Sequence, residues 1–512
     1  MEFPVDSEIL ASAEERFEKW RNTIGLFLGP VVFLALFFAP MRGLSPEAHR
    51  LAAILGLVLV YWITEPVPIP VTALLGAVLA VMFKVAGARD VLAPFADPIV
   101  FLFIGSFIIA NAMMSHGLDR RFALAILSLR SVGHSPGRLM LAFGAITAFI
   151  SMWVSNTAAT AMMIPIGIGM LRAVGEVQEK ESGKAPNIAR WRLSSGLMLM
   201  VAYAASVGGI GTPVGSPPNL IAIGMLDELA GTRITFFGWM SLAVPLMAAM
   251  YIVLYLLMIR MHKPEVPRLA GIEGYISERR HELGRWSAGQ RNALIAFLVA
   301  VTLWILPGVL AIVCGVHSPV FEGYSVRLNE GIVAVLAAAL LFFLPIDWKK
   351  RKFTLTWDQA VRIDWGTILL FGGGLALGGL MFKTGLAEVI GTSLMDLTGA
   401  DTLWGITATA IALGIVVSET TSNTASASMV IPVMIALSKA AGVSPIPPAL
   451  GACLGASYGF MLPVSTPPNA IAYASGMVPI TRMVKTGIVF DVLGFFLILG
   501  GLRLLCPLLG FI

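Results

Sequence analysis

Charge is what this sequence has least of: Asp, Glu, Lys and Arg make up 13% of 512 residues, against 57% hydrophobic. A chain this poor in charge cannot hide its apolar surface in one water-soluble core, so its solvent must be lipid. The alternating ten-residue pattern of a membrane β-barrel is also missing, which leaves helices to satisfy the backbone inside a bilayer. The three cysteines, Cys314, Cys453 and Cys506, lie in apolar runs without metal-ligand spacing and read as ordinary membrane residues. The six histidines neighbour no motif serine, and there is no HExxH, no pair of intramembrane aspartates and no basic phosphate cluster. An intramembrane protease or lipid-phosphate hydrolase is therefore disfavoured. The first 22 residues lack the apolar core of a secretory signal and read as a cytoplasmic N-terminal segment. The net charge of +5 comes from Lys and Arg in short loops, a mark of membrane orientation rather than of nucleic-acid binding.

What is abundant is apolar sequence in runs long enough to cross a hydrocarbon core of about 30 Å. An N-terminal half, 23–261, carries such runs at 23–41, 50–64, 68–86, 97–116, 138–172, 193–226 and 234–261. A polar stretch at 262–290 reads as a cytoplasmic linker, and the second half, 291–512, continues at 291–316, 328–347, 365–383, 402–438, 445–478 and 484–512.

The halves repeat each other. SNTAATAMMIPI from Ser155 recurs as SNTASASMVIPV from Ser422, each with a serine four residues earlier, Ser151 and Ser418. Downstream of each comes a Pro-Pro-Asn motif, Ser216-Pro217-Pro218-Asn219 and Thr466-Pro467-Pro468-Asn469. The expected fold is an all-α polytopic membrane protein of two inverted repeats: about 11 crossing helices, re-entrant hairpins at 138–172 and 402–438, and broken helices at 193–226 and 445–478. With the N-terminus inside and the C-terminus outside, most of the 35 basic residues fall on the cytoplasmic side, and the hairpins enter from opposite faces. Hairpin arms that each cross the bilayer are the alternative, but arms of about 15 residues are near the minimum.

Helices that stop inside a membrane need partners for their end groups. Ser155-Asn156-Thr157 and Ser422-Asn423-Thr424 are suited to cap the returning helices and present hydroxyls and amides to a ligand. The Ser-Pro-Pro and Thr-Pro-Pro steps start helices in the same way. Four converging N-termini, each worth about half a positive charge, make an anion site without a cationic side chain, and the opposing C-terminal carbonyls suit Na⁺. Asn219 and Asn469 fit helix–helix bonding as well as a ligand role. Glu65 reads as interfacial, and Glu419, matched by Met152 in the first half, is suited to tune a cation site or to bond a backbone amide.

WITEPVPIPVTALL near the N-terminus, both Ser-Asn-Thr motifs, both Pro-Pro-Asn motifs and FGGGLALGG from Phe371 together resemble the divalent anion/sodium symporter family over nearly the whole chain. The resemblance implies a secondary transporter, not an enzyme: a homodimer in membrane lipid that carries a small dianion, above all a C4-dicarboxylate, with Na⁺ by an elevator movement. By motif position it places one sodium site at Ser151, Ser155, Asn156 and the backbone near Gly215. A second falls at Ser418, Thr421, Asn423 and the backbone near Ser465. The substrate would meet Ser155, Asn156, Thr157, Ser422, Asn423, Thr424, Thr466 and Pro467. A sodium-independent dicarboxylate exchanger, or a sulfate or citrate carrier of the same fold, remains open, and a channel is disfavoured by the broken helices.

Overall fold

The computed structural model describes residues 5–41, 43–128, 135–265, 269, 271–315, 317–399 and 401–512. The N-terminal segment, whose first four residues lie outside the described set, is not a separate piece: one helix, Val5–Phe38, runs from it into the first apolar run. The next helix, Pro46–Thr64, opens on Ser45, whose side chain accepts from the Ala48 amide at 3.1 Å. It closes on Glu65 in the left-handed region, at φ 49°, where the chain meets the prolines.

Among the described residues, nine helices are long and apolar enough to cross a membrane. A tenth span results if Pro319–Arg327 and Glu330–Phe343, bent by 60°, count as one. Among the described residues the architecture is helical apart from a small antiparallel pair, Pro345–Asp347 with Lys352–Phe353, whose turn is closed by Arg351 at φ 47°. Within the 262–290 linker, of which 266–268 and 270 lie outside the described residues, Ile272–Glu282 is a helix. Ile272 and Ile276 are buried where it packs against Leu118–Leu127 and Asn156–Ser182, so the linker is docked.

The Ser-Asn-Thr segments form helix–turn–helix pairs. The first has arms Pro136–Ser151 and Asn156–Ser182, and the second has arms Leu403–Thr420 and Asn423–Ala440. These arms are 16, 27, 18 and 18 residues long, so the length argument against their crossing individually does not hold for three of them. The surplus in the longest is the polar GEVQEKES end, which helical propensity carries past the apolar part. The Pro-Pro-Asn segments break as expected, into Arg192–Gly209 with Pro217–Ala230 and Ile446–Ala456 with Pro467–Ala474.

The two halves interlock. The return arm Asn156–Ser182 packs against Pro467–Ala474 of the second half, and Asn423–Ala440 packs against Pro217–Ala230 of the first. Arg192–Gly209, buried on every face from Leu193 to Gly209, is the central post, as its apolar circumference requires. Small residues permit the approach: a Cβ on Gly208 would fall 2.1 Å from the Ala148 carbonyl oxygen, and one on Gly455 would fall 2.6 Å from that of Ile411.

Candidate functional site

The interlocking brings four helix starts to one cavity of about 390 Å³, room for on the order of ten waters. Its lining includes Ser155, Asn156 and Thr157 from the first hairpin, Ser422, Asn423 and Thr424 from the second, Ser216 and Pro217 from the first break, and Thr466 and Pro467 from the second. All eight residues that the sequence offers to a substrate thus face one space. Every one of these helices points its N-terminus at that space, and free amides with the helix dipole make it attractive to anions.

Capping follows the sequence at three of the four starts. Ser155 accepts from the Ala158 amide at 3.3 Å, Ser422 from Ala425 at 3.2 Å and Thr466 from Asn469 at 3.4 Å. Ser216 holds the cap position without a side-chain bond, which corrects the expectation there; its start relies on the prolines that follow. A second correction concerns charge. Arg362 and Asp364 also line the cavity, so it is not free of cationic side chains. Asn111 lines it too and donates to the Gln359 carbonyl at 2.7 Å, which ties the loop carrying Arg362 to the helix Pro98–Ser115. The signal for these residues was the charged pair in VRIDWG immediately before an apolar run, which reads equally well as interfacial charge.

Behind the cavity the proposed cation residues are arranged alike in both halves. The Ser151 hydroxyl donates to Asn156 Oδ1 at 2.7 Å, and the Ser418 hydroxyl lies 2.8 Å from Asn423 Oδ1 and 2.7 Å from the Ala456 carbonyl. Gly215 sits in a cradle of carbonyls: a Cβ there would fall 2.6 Å from Gly209 O, 2.9 Å from Met152 O and 3.0 Å from Ser151 O. Neutral oxygens gathered without a carboxylate are a donor set for a hard monovalent cation. In the second half Ser418 Oγ and O stand 3.0 and 3.3 Å from where a Cβ on Gly459 would be. Thr421 Oγ1 donates to the Val417 carbonyl at 2.9 Å. Ser465 donates to Glu419 Oε2 at 2.5 Å, so its hydroxyl is engaged and its main chain is what remains for an ion.

Asn219 and Asn469 do not face the cavity; both are fully buried. Asn219 Nδ2 donates to the Gly209 and Thr212 carbonyls, each at 2.8 Å, and Asn469 Nδ2 to Gly459 and Leu462 at 3.0 and 3.1 Å. The offsets of ten and seven residues are the same in both halves. These asparagines staple the breaks, because a carbonyl left open in a membrane interior costs a bond that nothing else supplies. Thr212, not singled out by sequence, adds a bond from its hydroxyl to the Met152 carbonyl and so ties the first break to the first hairpin turn. Glu419 bonds a backbone amide, that of Met461 at 2.9 Å.

Membrane-length helices around an anion-attracting cavity define a multi-pass membrane transporter. The chain belongs to the sodium:sulfate symporter family, whose model, described as the sodium:sulfate symporter transmembrane region, matches residues 20–511. It is 35% identical over 471 residues to a sodium-dependent dicarboxylate transporter of Staphylococcus saprophyticus, which covers 91% of this chain and 87% of that protein. A sodium-dependent dicarboxylate transporter of Staphylococcus aureus is 35% identical over 468 residues, with the same shares. Among solved structures the fold is similar to the YdaH transporter of Alcanivorax borkumensis, with a TM-score of 0.52 at 16% identity over 95% of this chain and 97% of that one. It is similar also to MtrF of Neisseria gonorrhoeae, at 0.52 and 12% over 92% and 96%. These two likenesses concern the fold alone.

Proposed function

We propose that the protein imports a small dianion, a C4-dicarboxylate such as succinate, malate or fumarate, together with sodium ions. The observation that carries this reading is the single cavity on which four helix N-termini converge, with carbonyl-lined pockets directly behind two of them. The names of the relatives, sodium-dependent dicarboxylate transporters, agree with it. Substrate carboxylates meet Ser155, Asn156, Thr157, Ser422, Asn423, Thr424, Thr466 and Pro467. One Na⁺ is held by Ser151, Ser155, Asn156 and the backbone of Gly215, and another by Ser418, Thr421, Asn423 and the backbone of Ser465. The two halves are inverted repeats in a homodimer in the cell membrane, with the N-terminus cytoplasmic and the C-terminus outside, and the site moves across by an elevator motion.

The energetics favour coupling. Two negative charges entering against 100 mV cost about 4.6 kcal/mol, at about 2.3 kcal/mol per charge; two Na⁺ cancel this and a third drives uptake. Physically, a cation on the carbonyls and asparagines of a hairpin turn orders that turn before the dianion arrives, so the dianion no longer supplies the ordering. Linkage then requires sodium to raise dianion affinity and dianion to raise sodium affinity by the same factor. Calorimetry of succinate binding in Na⁺, K⁺ and choline at constant ionic strength tests this, with tight binding expected in Na⁺ alone. Equal affinity in all three overturns symport in favour of exchange.

A further inference from the structure

Behind the second cation pocket lie two carboxyl groups that this transport reading leaves unused as ligands. Glu419 and Asp491 are both buried, at 4% and 5% exposure, inside the protein. Both approach the same short stretch, residues 458–461. Glu419 accepts from the Met461 amide. Asp491 sits on the helix Ile480–Leu508 between Gly487 and Gly494, which lie on its face of the helix at helical spacing. The glycines bring that helix into contact with the stretch: a Cβ on Gly487 would fall 2.3 Å from the Phe460 carbonyl oxygen, and one on Gly494 would fall 2.0 Å from the Tyr458 ring. The Asp491 carboxyl thereby comes within hydrogen-bonding range of Glu419.

What this pocket lacks is a donor from a side chain to Asp491. Beyond the approach of the Phe460 amide, neither Asp491 oxygen makes a hydrogen bond of good geometry, and the Tyr458 hydroxyl, wholly buried beside Asp491, makes none either. Tyr203, the neighbouring hydroxyl, is already committed to the Phe460 and Met483 carbonyls at 2.7 and 3.3 Å. No salt bridge reaches either acid among the described residues. Two acids and an idle phenol without a counter-charge are costly in a membrane interior. One sodium-sized ion is met by Asp491, Glu419 and Tyr458 together, and with one proton kept on the pair of acids it leaves the cluster neutral. We propose that Asp491, Glu419 and the Tyr458 hydroxyl form a third, acidic site for a monovalent cation. The first half offers no counterpart, since Met152 stands where Glu419 does. Two cations then belong to the repeated neutral pockets and one to the unrepeated acidic one. Glu419 also holds the Ser465 hydroxyl, so filling this site stiffens the second neutral pocket.

The inference rests on the sodium-coupled reading, and the test separates the two. Sodium and succinate fluxes are measured with isotopes in proteoliposomes, together with the sodium-induced rise in melting temperature of the purified protein without succinate, for wild type, Asp491→Asn, Glu419→Gln and Tyr458→Phe. The expected result is about three Na⁺ per succinate in wild type, falling to about two in Asp491→Asn, with a smaller sodium-induced stabilisation. If Asp491→Asn fails to fold, Tyr458→Phe carries the test, with a several-fold rise in the sodium concentration for half-maximal stabilisation. Wild-type ratio and stabilisation in every folded variant would overturn the third site while leaving symport intact. So would a ratio unchanged in Asp491→Asn while proton movement disappears, which would assign the acids to a proton. A wild type indifferent to Na⁺ would overturn the symport reading, and the third site with it.

Discussion

Replacing Asn219 by Asp changes one atom group and reverses its hydrogen-bonding role, which makes it a sharp test of how the broken spans are held. The amide Nδ2 carries two protons and spends both, on the Gly209 and Thr212 carbonyls at 2.8 Å each, in a site with no solvent exposure. A carboxylate can donate neither. The loss is two bonds worth about 1 kcal/mol each net, and the two stranded carbonyls plus a charge facing them raise the cost to roughly 3–5 kcal/mol. If transport requires the stapled geometry, even 2 kcal/mol lowers the competent population about 30-fold. Asn219→Asp should therefore transport as poorly as Asn219→Leu, and both should melt below the wild type. The assay is sodium-driven uptake at several sodium concentrations, alongside thermal unfolding of the purified protein. If Asn219 served instead as a cation ligand through its oxygen, a carboxylate would preserve or strengthen binding. Asn219→Asp with wild-type uptake and equal or higher sodium affinity would refute the staple.

Asn156→Ala and Asn423→Ala should each abolish transport while the protein stays folded, because each side chain faces the cavity and is also bonded to a serine behind it; size-exclusion and melting profiles with uptake check this. Single cysteines at Ser135 and Lys439, in a background without the native three, should label from opposite sides of the membrane; of the native cysteines only Cys314 is exposed, so it is the chief one to remove. Labelling from one side would exclude inversion of the hairpins. His262, just past the span Phe236–Met261, is buried, bonded to Thr486 at 3.0 Å, and pushed down to about 4 by burial and then by Arg482 and Arg192. Its folded value lies below the ordinary one near 6.5, so the neutral ring is what the fold accepts. Stability is complete above about pH 6.5 and falls toward pH 4 by up to roughly 3 kcal/mol, a loss that His262→Gln should remove from a melting-temperature profile.

Much of this site was legible because it is repeated. Ser-Asn-Thr and Pro-Pro-Asn each occur twice at matching intervals, and residues named on that ground line one cavity or stand directly behind it. The repeat carries the information that single residues lack, since one serine in an apolar helix usually bonds its own backbone. What escaped the sequence has no repeat to announce it. Arg362 and Asp364 reach the cavity from a loop whose position depends on Asn111, distant in the chain. Thr212 and the carbonyl cradle around Gly215 are main-chain geometry, visible only once the break has a shape. Asp491 lies in the apolar middle of a span whose ends carry Arg482, Lys485 and Arg503, and becomes notable only when its neighbours prove to be another acid and an unbonded phenol. The helix lengths erred for a simpler reason: hydropathy marks where a helix is apolar, not where it stops, and GEVQEKES continues a helix as readily as it leaves a membrane.

The interlocking of the halves also sets a schedule for the newborn chain. The first hairpin's return arm, Asn156–Ser182, meets Arg192–Gly209 and the linker helix soon after it is made, but its contact with Pro467–Ala474 waits until almost the end of synthesis. At 5–20 residues per second the ribosome takes roughly 15–60 s to cover that interval, during which the first hairpin stands in the bilayer without its partner from the second half. The first half alone can therefore insert but cannot complete the cavity, and a chain cut in the central linker should regain transport only when both fragments are made together.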